Sequence, residues 1–318
     1  MPRGRTDSHD DVAACMGRYD TYRLVEWLGD RLSDEAAFRV AQKAADLGWR
    51  WARAQRRAVE DNLSVVVGGR IPERSRRGRE VFRHFARYLV EFFSAHRVDD
   101  PLITIEGFDH LVEAQRRGRG TIVLTAHLGN WEVGAIALHR MGFPVSAVAL
   151  PHGEARTDRV FNRQRERCGI RVIPLGAAAA RQSLQSLREG RVLGLLGDQE
   201  FGDQGLPIAF CGGQLMLPRG PALLSLRGEA PAVPIFLIRE GLWRFRLCIE
   251  RPIWPEGDSE KDAAIRRLTA AYAAVMERYV KRFPEQWIMF RPVFASGTEA
   301  GSVAQTTQNT ATAQMPRP

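Results

Sequence analysis

The sequence predicts an α/β fold in which helices flank a mostly parallel central sheet, with a helical region before the sheet. From residue 103 onward, short apolar runs alternate with segments of helical periodicity, as expected when parallel strands are joined by helices. Between residues 19 and 98 the apolar residues show helical spacing alone. The chain has 318 residues, 44% of them hydrophobic, which is enough for a large core.

The helical region comprises residues 19–98 and follows a polar start, residues 1–18, that we expect to be disordered. Ser33 is predicted to cap a long helix that runs through Ala54, and Ile71 opens a further helix with a broad apolar face. Arginines and aromatic residues mix along these helices, as is typical of helices that lie on anionic membranes. An ordinary core-facing stripe with a solvated, charged back is the alternative.

The predicted α/β domain comprises residues 99–294. Its strands are expected at residues 103–106, 121–126, 145–150, 171–174, 192–197, 232–238 and 245–250. Its helices are expected at residues 108–117, 131–141, 154–168, 178–189, 221–226 and 259–281. The tail, residues 295–318, is rich in Thr, Gln, Ala, Gly and Ser, and we expect it to be disordered.

The formal net charge of +9 favours an anionic partner, such as a membrane surface, a phosphorylated lipid or an acidic carrier protein. Nucleic acid is not favoured, because the chain has neither zinc-finger spacing nor an aromatic RNA-binding signature. The four cysteines are scattered, so no metal site, cofactor or disulfide framework is expected. No apolar run reaches the ~20 residues that span a bilayer, so a lipid-directed protein of this kind is expected to lie on the membrane.

One segment carries chemistry that its residue types explain directly. The predicted buried strand 121–126 delivers His127 to its end, and a glycine-containing turn, Glu132 and an apolar helix follow. A neutral imidazole beside a carboxylate is a general base with an orienting partner, which suits the removal of a proton from a hydroxyl nucleophile. A histidine buried for structural reasons is the alternative.

Three further segments lie at or beyond the ends of predicted elements. Arg165 precedes a helix end at Gly169, where its guanidinium could bind a phosphate or complement the helix dipole. Asp198 follows a buried strand, where it could order Arg165 or a bound headgroup, or cap a loop. Gly212 lies in a segment that permits close backbone approach, and the apolar helix after it is expected to pack in the core or line an apolar channel.

These segments resemble the lipid A biosynthesis acyltransferase family, of the lauroyl and myristoyl type and similar to lysophospholipid acyltransferases. The resemblance rests on His127-Leu-Gly-Asn-Trp-Glu132, which looks like that family's HxxxxE/D motif. It is supported by Arg165-Glu-Arg-Cys-Gly169, Gly197-Asp-Gln-Glu200, Phe210-Cys-Gly212, Pro218-Arg-Gly-Pro-Ala222 and Pro284-Glu-Gln-Trp287. HxxxxE alone is a weak signal, whereas six motifs in the family's order form a strong one.

The resemblance implies a glycerolipid acyltransferase-like fold and the transfer of a fatty acyl chain from a thioester of acyl carrier protein or coenzyme A. The acceptor would be a hydroxyl of a glycolipid such as a lipid A precursor. His127 would be the general base and Glu132 its partner. The residues expected to bind substrate are Asn130, Arg163, Arg165, Asp198, Glu200 and Gly212. The resemblance also implies a peripheral protein on the cytoplasmic face of the inner membrane.

Several alternatives stay open at this point. Phosphatidylinositol mannoside acyltransferases share the HxGNW-type motif, and the segment from Met216 to Pro221 is compatible with them. A hydrolase could use the same histidine with water in place of the acceptor. A non-catalytic basic module that binds membrane or nucleic acid is a further alternative, which rests on the net charge and the arginine clusters. Glu200 stands where the family more commonly has Asp, so its role is open. The donors that stabilise the tetrahedral oxyanion are also open, with backbone N–H groups near Gly129 or an arginine as candidates.

Overall fold

The computed structural model describes residues 18–68, 70–98, 102–151, 154–200, 202, 204–255 and 260–294. The predicted disordered start and tail therefore lie outside the described residues, except for Arg18, which already begins a helix. Four helices precede the first described strand: α1 (Arg18–Arg31), α2 (Asp34–Trp51), α3 (Arg53–Val66) and α4 (Ile71–Ser94).

The start and end of α2 test the prediction that Ser33 caps one helix running through Ala54. Ser33 caps α2 as predicted, because its hydroxyl accepts the N–H of Ala36 (3.4 Å). The prediction of one helix through Ala54 is wrong, since Ala52 leaves the helical conformation (φ −78°, ψ 68°) and separates α2 from α3. Ala52 is buried, and the break lets α3 turn its own apolar side chains, among them Leu63, into the core beside α4.

In the described residues, a seven-stranded sheet forms the centre of the molecule in the order β1-β9-β8-β2-β5-β3-β4. These strands are β1 (Leu102–Glu106), β2 (Thr121–Thr125), β3 (Val145–Ala149), β4 (Arg171–Pro174), β5 (Val192–Leu196), β8 (Ala232–Gly241) and β9 (Arg244–Ile249). The remaining helices are α5 (Phe108–Arg116), α6 (Trp131–Arg140), α7 (Ala155–Arg167), α8 (Ala179–Arg188), α9 (Gly220–Gly228) and α10 (Lys261–Arg282), followed by a 3₁₀ turn (Pro284–Gln286).

The sheet confirms the predicted fold class. All neighbouring pairs are parallel except β8 and β9, which form an antiparallel pair. The central strands β2 and β5 are apolar along most of their length because helices cover both faces of a sheet of this kind. Each strand and helix predicted for the α/β domain has a counterpart within a few residues of the expected bounds.

A two-stranded hairpin, β6 (Leu206–Phe210) and β7 (Gly213–Leu217), was not predicted. Its burial alternates along the chain, as expected for a sheet with one covered face. Cys211 and Gly212 form the turn and both have positive φ (53° and 82°), which matches the twist that a two-residue hairpin needs.

No helix in the described part of the chain is long and apolar enough to cross a bilayer.

Candidate active site

His127 and Asp198 occupy equivalent places beyond two neighbouring parallel strands. β2 and β5 pair with Thr125 opposite Leu196, and each strand is followed two residues later by one of these side chains. The pairing continues past the strands, because the Gly197 N–H donates to the Thr125 carbonyl (2.8 Å). Nδ1 of His127 consequently lies 2.8 Å from Oδ1 of Asp198.

The Asp198 carboxylate is buried and held as an anion. Its Oδ2 accepts the backbone N–H of His127 (2.8 Å) and the indole N–H of Trp287 (3.0 Å). Burial alone would raise the pKa of Asp198, but the electrostatic attraction to His127 across their contact and these hydrogen bonds outweigh burial, so the pKa of Asp198 lies below its usual value. An ionised carboxylate at Nδ1 keeps the imidazole proton on that nitrogen and leaves Nε2 as the basic atom.

The predicted role of Glu132 as the carboxylate that orients His127 is wrong. Glu132 lies in the first turn of α6, and its carboxylate accepts hydrogen bonds from Nε (3.1 Å) and Nη2 (2.6 Å) of Arg165 on α7. Strand pairing places Asp198 against Nδ1, whereas the helix directs Glu132 toward α7. Glu132 and His127 line the same cavity, so a catalytic part for Glu132 stays a prediction.

Arg165 lies in the last turn of α7, as predicted, but its side chain is buried and bonded inside the protein. Besides its pair with Glu132, it donates from Nη1 to the side-chain oxygen of Asn162 (2.8 Å). Burial would lower the pKa of Arg165, but the adjacent Glu132 carboxylate outweighs it and raises the pKa. Of the roles open to Asp198, the ordering of Arg165 is wrong, because Glu132 orders Arg165. Gly169 follows the end of α7 with φ 82°, as predicted for a residue just past a helix.

Asn130 is fully buried, and its bonds connect the turn after His127 to α4. Its side-chain oxygen accepts the N–H of Val133 (3.1 Å) and so caps α6. Its amide donates to the carboxylate of Glu91 (2.7 Å). These bonds hold the helix that carries Glu132, so Asn130, predicted to bind substrate, has a positioning role in the described contacts.

Glu91 is itself one half of a buried ion pair with Arg239 of β8. Nε of Arg239 donates to Oε1 of Glu91 (2.6 Å), and Nη1 faces Nδ1 of His84 (2.7 Å). Burial and the charge of Arg239 hold the pKa of His84 well below its usual value, so His84 is a neutral acceptor here. Gln286 bonds the backbone of Arg239 through both its oxygen and its amide (2.9 Å each).

A cavity of about 480 Å³ adjoins this site. Its apolar wall comes from the sheet and from α6, α8 and α9, and includes Leu138, Val145, Ala147, Leu196, Leu223, Leu224, Ile235, Leu237 and Leu247. Its polar wall includes His127, Glu132, Arg165, Gln199 and Glu200. A mostly apolar space with a few convergent polar groups is the usual form of a small-molecule site.

Of the other predicted site residues, Glu200 lies at the cavity, whereas Arg163 and Gly212 do not. Glu200 lines the cavity, and one of its carboxylate oxygens accepts the N–H of Gly202 (2.7 Å). Arg163 and Gly212 lie outside the cavity wall: Arg163 is exposed, 3.7 Å from the carboxylate of Glu26, and Gly212 turns the hairpin. Within the described ranges, no cluster of His, Cys, Asp or Glu side chains could hold a metal ion.

The backbone N–H groups of Gly129 and Asn130 are already bonded inside the protein and do not serve as oxyanion donors. The N–H of Gly129 donates to the carbonyl of Gln286, and that of Asn130 donates to the carbonyl of Leu237, both at 3.0 Å. Arg165 is the arginine of the candidate site that reaches the same cavity as His127. Its bonds to Glu132 and Asn162 use three of the five guanidinium N–H groups.

Sequence reasoning gave no role to several residues that shape this site. Trp287 was noted as part of a motif, but its bond to Asp198 depends on a chain reversal after α10. Tyr88 of α4 stacks on Trp131 (4.4 Å between ring centroids) and lines the cavity. Gln199 is buried, and its side-chain oxygen has no hydrogen-bond partner among the described residues. The pattern of polar and apolar residues around these three positions does not distinguish them from other residues of the same elements, so it does not predict that they lie at the site.

Comparison with known proteins gives several relatives of modest similarity. The chain is 27% identical over 216 residues to a phosphatidylinositol mannoside acyltransferase of Mycolicibacterium smegmatis, covering 65% of this chain and 69% of the relative. It is 26% identical over 227 residues to the lipid A biosynthesis palmitoleoyltransferase of Escherichia coli, covering 68% and 70%. A crystal structure of the 1-acyl-sn-glycerophosphate acyltransferase of Thermotoga maritima covers 75% of this chain and 97% of its own, at 14% identity and a TM-score of 0.37.

Residues 21–296 match the family described as bacterial lipid A biosynthesis acyltransferase. This match spans the helical region, the sheet and both residues of the His127–Asp198 pair. The chain therefore belongs to the bacterial lipid A biosynthesis acyltransferase family and is an acyltransferase.

Proposed function

We propose that this enzyme transfers a fatty acyl chain from an acyl thioester to a hydroxyl group of a glycolipid, with His127 as the general base. The observation that carries the proposal is the 2.8 Å contact between Nδ1 of His127 and Asp198 on the wall of a largely apolar cavity. Membership of the acyltransferase family supports the reaction class.

The chemistry follows from the orientation of the imidazole. With the Nδ1 proton held by Asp198, Nε2 of His127 takes the proton of the acceptor hydroxyl as its oxygen attacks the thioester carbon. The tetrahedral intermediate collapses with cleavage of the carbon–sulfur bond, and the imidazolium returns the proton to the leaving thiolate. The products are an ester and a free thiol. No covalent acyl-enzyme is needed, because the thioester is already activated.

Arg165 is our candidate for stabilising the oxyanion of that intermediate. It lines the same cavity as His127, and two of its five N–H groups remain beyond its bonds to Glu132 and Asn162. Glu132 then acts by fixing the guanidinium, not by touching the imidazole. This assignment gives both halves of the HxxxxE motif a part in the same step.

The apolar part of the cavity is suited to the acyl chain. Its volume of about 480 Å³ lies within the range of roughly 300–1,000 Å³ common for small-molecule sites. Burial of a methylene group contributes about 0.8 kcal/mol, so a fitted chain supplies binding energy in proportion to its length. We expect the thioester end of the donor to lie near His127 and the chain to extend along the apolar wall.

Donor and acceptor are assigned by class. A net charge of +9 suits either acidic acyl carrier protein or the phosphates of coenzyme A. A lipid A precursor is our first candidate for the acceptor, and a phosphatidylinositol mannoside is the second, because relatives of both names match to a similar degree. We place the enzyme peripherally on the cytoplasmic face of the inner membrane, where such acceptors present their headgroups.

The test uses the purified protein and a donor whose acyl chain is labelled, either as a thioester of acyl carrier protein or as acyl-CoA. Each donor is offered with a lipid A precursor, with a phosphatidylinositol mannoside or with no acceptor. We expect label in one glycolipid, and a loss of at least about 100-fold in His127→Ala. His110→Ala, a histidine outside the cavity wall, is the matched control. Label released only as free fatty acid would instead support a hydrolase, and near wild-type transfer by His127→Ala would exclude the mechanism.

A further inference from the structure

Helix α2 carries a continuous stripe of apolar side chains that the described part of the protein leaves uncovered. Val40, Leu47 and Trp51 are 43%, 44% and 67% exposed, and Ala44 between them is exposed too. Spacings of four, three and four residues align these side chains on one face of the helix. Single exposed apolar residues are common on protein surfaces, but a row of them on one helix face calls for a partner.

The stripe adjoins the face of α2 that packs inside the protein. That buried face comprises Ala37, Phe38, Ala41 and Ala45. At about 100° per residue, the buried residues span an arc of roughly 100° and the exposed stripe adds about 60° on one side. A core-facing helix needs an apolar arc of about 100°, so the stripe exceeds what packing in this protein requires.

A row of cations borders the stripe on the side away from the core. Arg39, Lys43 and Arg50 are all exposed and fall within an arc of about 40° beside the apolar residues. Their long aliphatic stems can lie along an apolar surface while their charges reach anionic groups. The acidic Asp46 near this row is already bound by two arginines of α4, Arg79 and Arg83, so it does not oppose an anionic partner.

We propose that α2 lies flat against an anionic lipid surface, with Val40, Leu47 and Trp51 inserted at the headgroup boundary and Arg39, Lys43 and Arg50 against the phosphates. This proposal rests on the proposed function and deepens it, because it names the surface that brings the enzyme to a lipid acceptor. Tryptophan and arginine next to an aliphatic stripe are the residues that favour such a boundary.

The position of α2 relative to the cavity fits a lipid partner. α2 packs on α4 through Asp46, and α4 contributes Tyr88 to the cavity wall. α4 therefore contacts both α2 and the acyl cavity. The narrow, one-helix width of the stripe and its cation border also suit a planar anionic surface better than a protein pocket.

The proposal is tested by cosedimentation of the full-length protein with vesicles of phosphatidylcholine alone or mixed equally with phosphatidylglycerol. We expect the double variant Leu47→Glu/Trp51→Glu to lower the fraction bound to the mixed vesicles by at least about tenfold. Leu242→Glu is the matched control, because Leu242 is also 44% exposed but lies in the β8–β9 turn. It should bind as the wild type does.

A second comparison isolates the charges. We expect Arg39→Gln/Lys43→Gln/Arg50→Gln to lower binding to the mixed vesicles about fivefold or more and binding to neutral vesicles less than twofold. The control removes three exposed arginines elsewhere, Arg116, Arg181 and Arg188. Circular dichroism and thermal unfolding verify that each variant is folded.

Two outcomes would overturn the proposal. One is unchanged vesicle binding by the folded Leu47→Glu/Trp51→Glu variant. The other is that the wild type sediments as a dimer and the Leu47→Glu/Trp51→Glu variant as a monomer, while both bind vesicles equally. A second copy of the chain, and not a membrane, would then cover the stripe. Cosedimentation involves no acyl transfer, so it is independent of whether the proposed reaction takes place.

Discussion

His127 and Asp198 are 71 positions apart in the chain, yet their side chains meet at 2.8 Å because β2 and β5 are adjacent parallel strands. Each residue stands two positions beyond its strand, so the register of the sheet alone brings them together. The arrangement follows the rule that functional groups of open α/β sheets collect at the carboxyl ends of the strands. It makes Asp198 the residue whose replacement is most informative about the base.

We expect Asp198→Asn to lower kcat by about 10²–10⁴-fold with a much smaller change in KM. Asparagine keeps the shape of the side chain, but its amide can donate to Nδ1 of His127, which favours the tautomer that lacks a basic Nε2. Steady-state transfer kinetics measure the effect, and Asp262→Asn on the exposed start of α10 is the matched control. A folded Asp198→Asn enzyme within threefold of the wild-type kcat would exclude this role.

The origin of the His127–Asp198 pair also explains how far the sequence could predict the site. An apolar run that ends in polar residues identifies a strand end, and both 121–126 and 192–197 show this pattern. The order of the strands in the sheet cannot be predicted in this way, because neither run indicates that β2 and β5 are neighbours. The nearest carboxylate in sequence, Glu132, was therefore chosen as the partner, and the tertiary neighbour was missed.

Local rules performed well where local interactions decide the structure. The cap at Ser33 and the glycine after α7 depend on a few adjacent residues, and both were predicted. The break at Ala52 and the pair of Glu91 with Arg239 depend on packing between distant elements, so no local pattern indicated them. Exposure along α2 likewise became visible only once its buried neighbours were known.

The buried pair of Glu132 and Arg165 yields a prediction about stability. Arg165→Met should lower the free energy of unfolding by about 3–5 kcal/mol, because it leaves the Glu132 carboxylate buried without a counter-charge. Adding Glu132→Gln should recover at least about 2 kcal/mol of this loss, as a double-mutant cycle in urea unfolding would measure. The exposed pair Arg171–Glu189 is the control and should couple by less than about 1 kcal/mol. Additive effects for the buried pair would contradict the assignment.

A separate prediction concerns the link between α4 and the turn that follows His127. Glu91→Gln should destabilise the protein by about 3 kcal/mol or more, since it leaves Arg239 buried without its counter-charge and weakens the bond to Asn130. Hydrogen exchange should quicken at the start of α6, which Asn130 caps. Glu277→Gln, which breaks the more exposed pair with Lys281, should cost less than about 1 kcal/mol. Equal exchange at α6 in wild type and Glu91→Gln would show that the network does not hold this helix.

The contact between α2 and α4 predicts a defined pH dependence. Asp46 accepts hydrogen bonds from Arg79 and Arg83 at 2.7–2.9 Å, and these bonds hold its pKa well below the usual value. Because the folded-state pKa is depressed, the stabilisation is complete above the unfolded pKa of about 3.9 and is lost as pH falls toward the folded value. Asp46→Asn should therefore be less stable than wild type by roughly 1 kcal/mol at pH 7, and this difference should shrink below about pH 4.

Urea unfolding at pH 7, 5, 4 and 3 measures that difference. Glu35→Gln removes an exposed carboxylate from the same helix and should stay within about 0.5 kcal/mol of the wild type at pH 7. A deficit of Asp46→Asn that stays constant or grows as pH falls to 3 would contradict the assignment.

The last prediction concerns the length of the acyl chain. Gly194 lies in β5 on the cavity wall, and a Cβ added there would meet its nearest neighbour, the Ser146 carbonyl oxygen, at an ordinary distance of 3.7 Å. Gly194→Val should therefore fit the strand and fill part of the cavity. If two methylene groups of the donor lose their burial, about 1.6 kcal/mol of binding free energy is lost, which is roughly a 15-fold fall in kcat/KM for the longest good donor.

Competition between acyl thioesters of different lengths, followed by mass spectrometry of the product, measures this shift. Donors shorter by two to four carbons should fall less than about threefold, so the preferred length decreases. Gly176→Val is the matched control, because Gly176 lies outside the cavity wall and a Cβ there meets no atom within 4 Å. An unchanged length profile in a folded Gly194→Val enzyme would mean that the acyl chain lies elsewhere, because a chain seated in this cavity cannot avoid the added methyl groups.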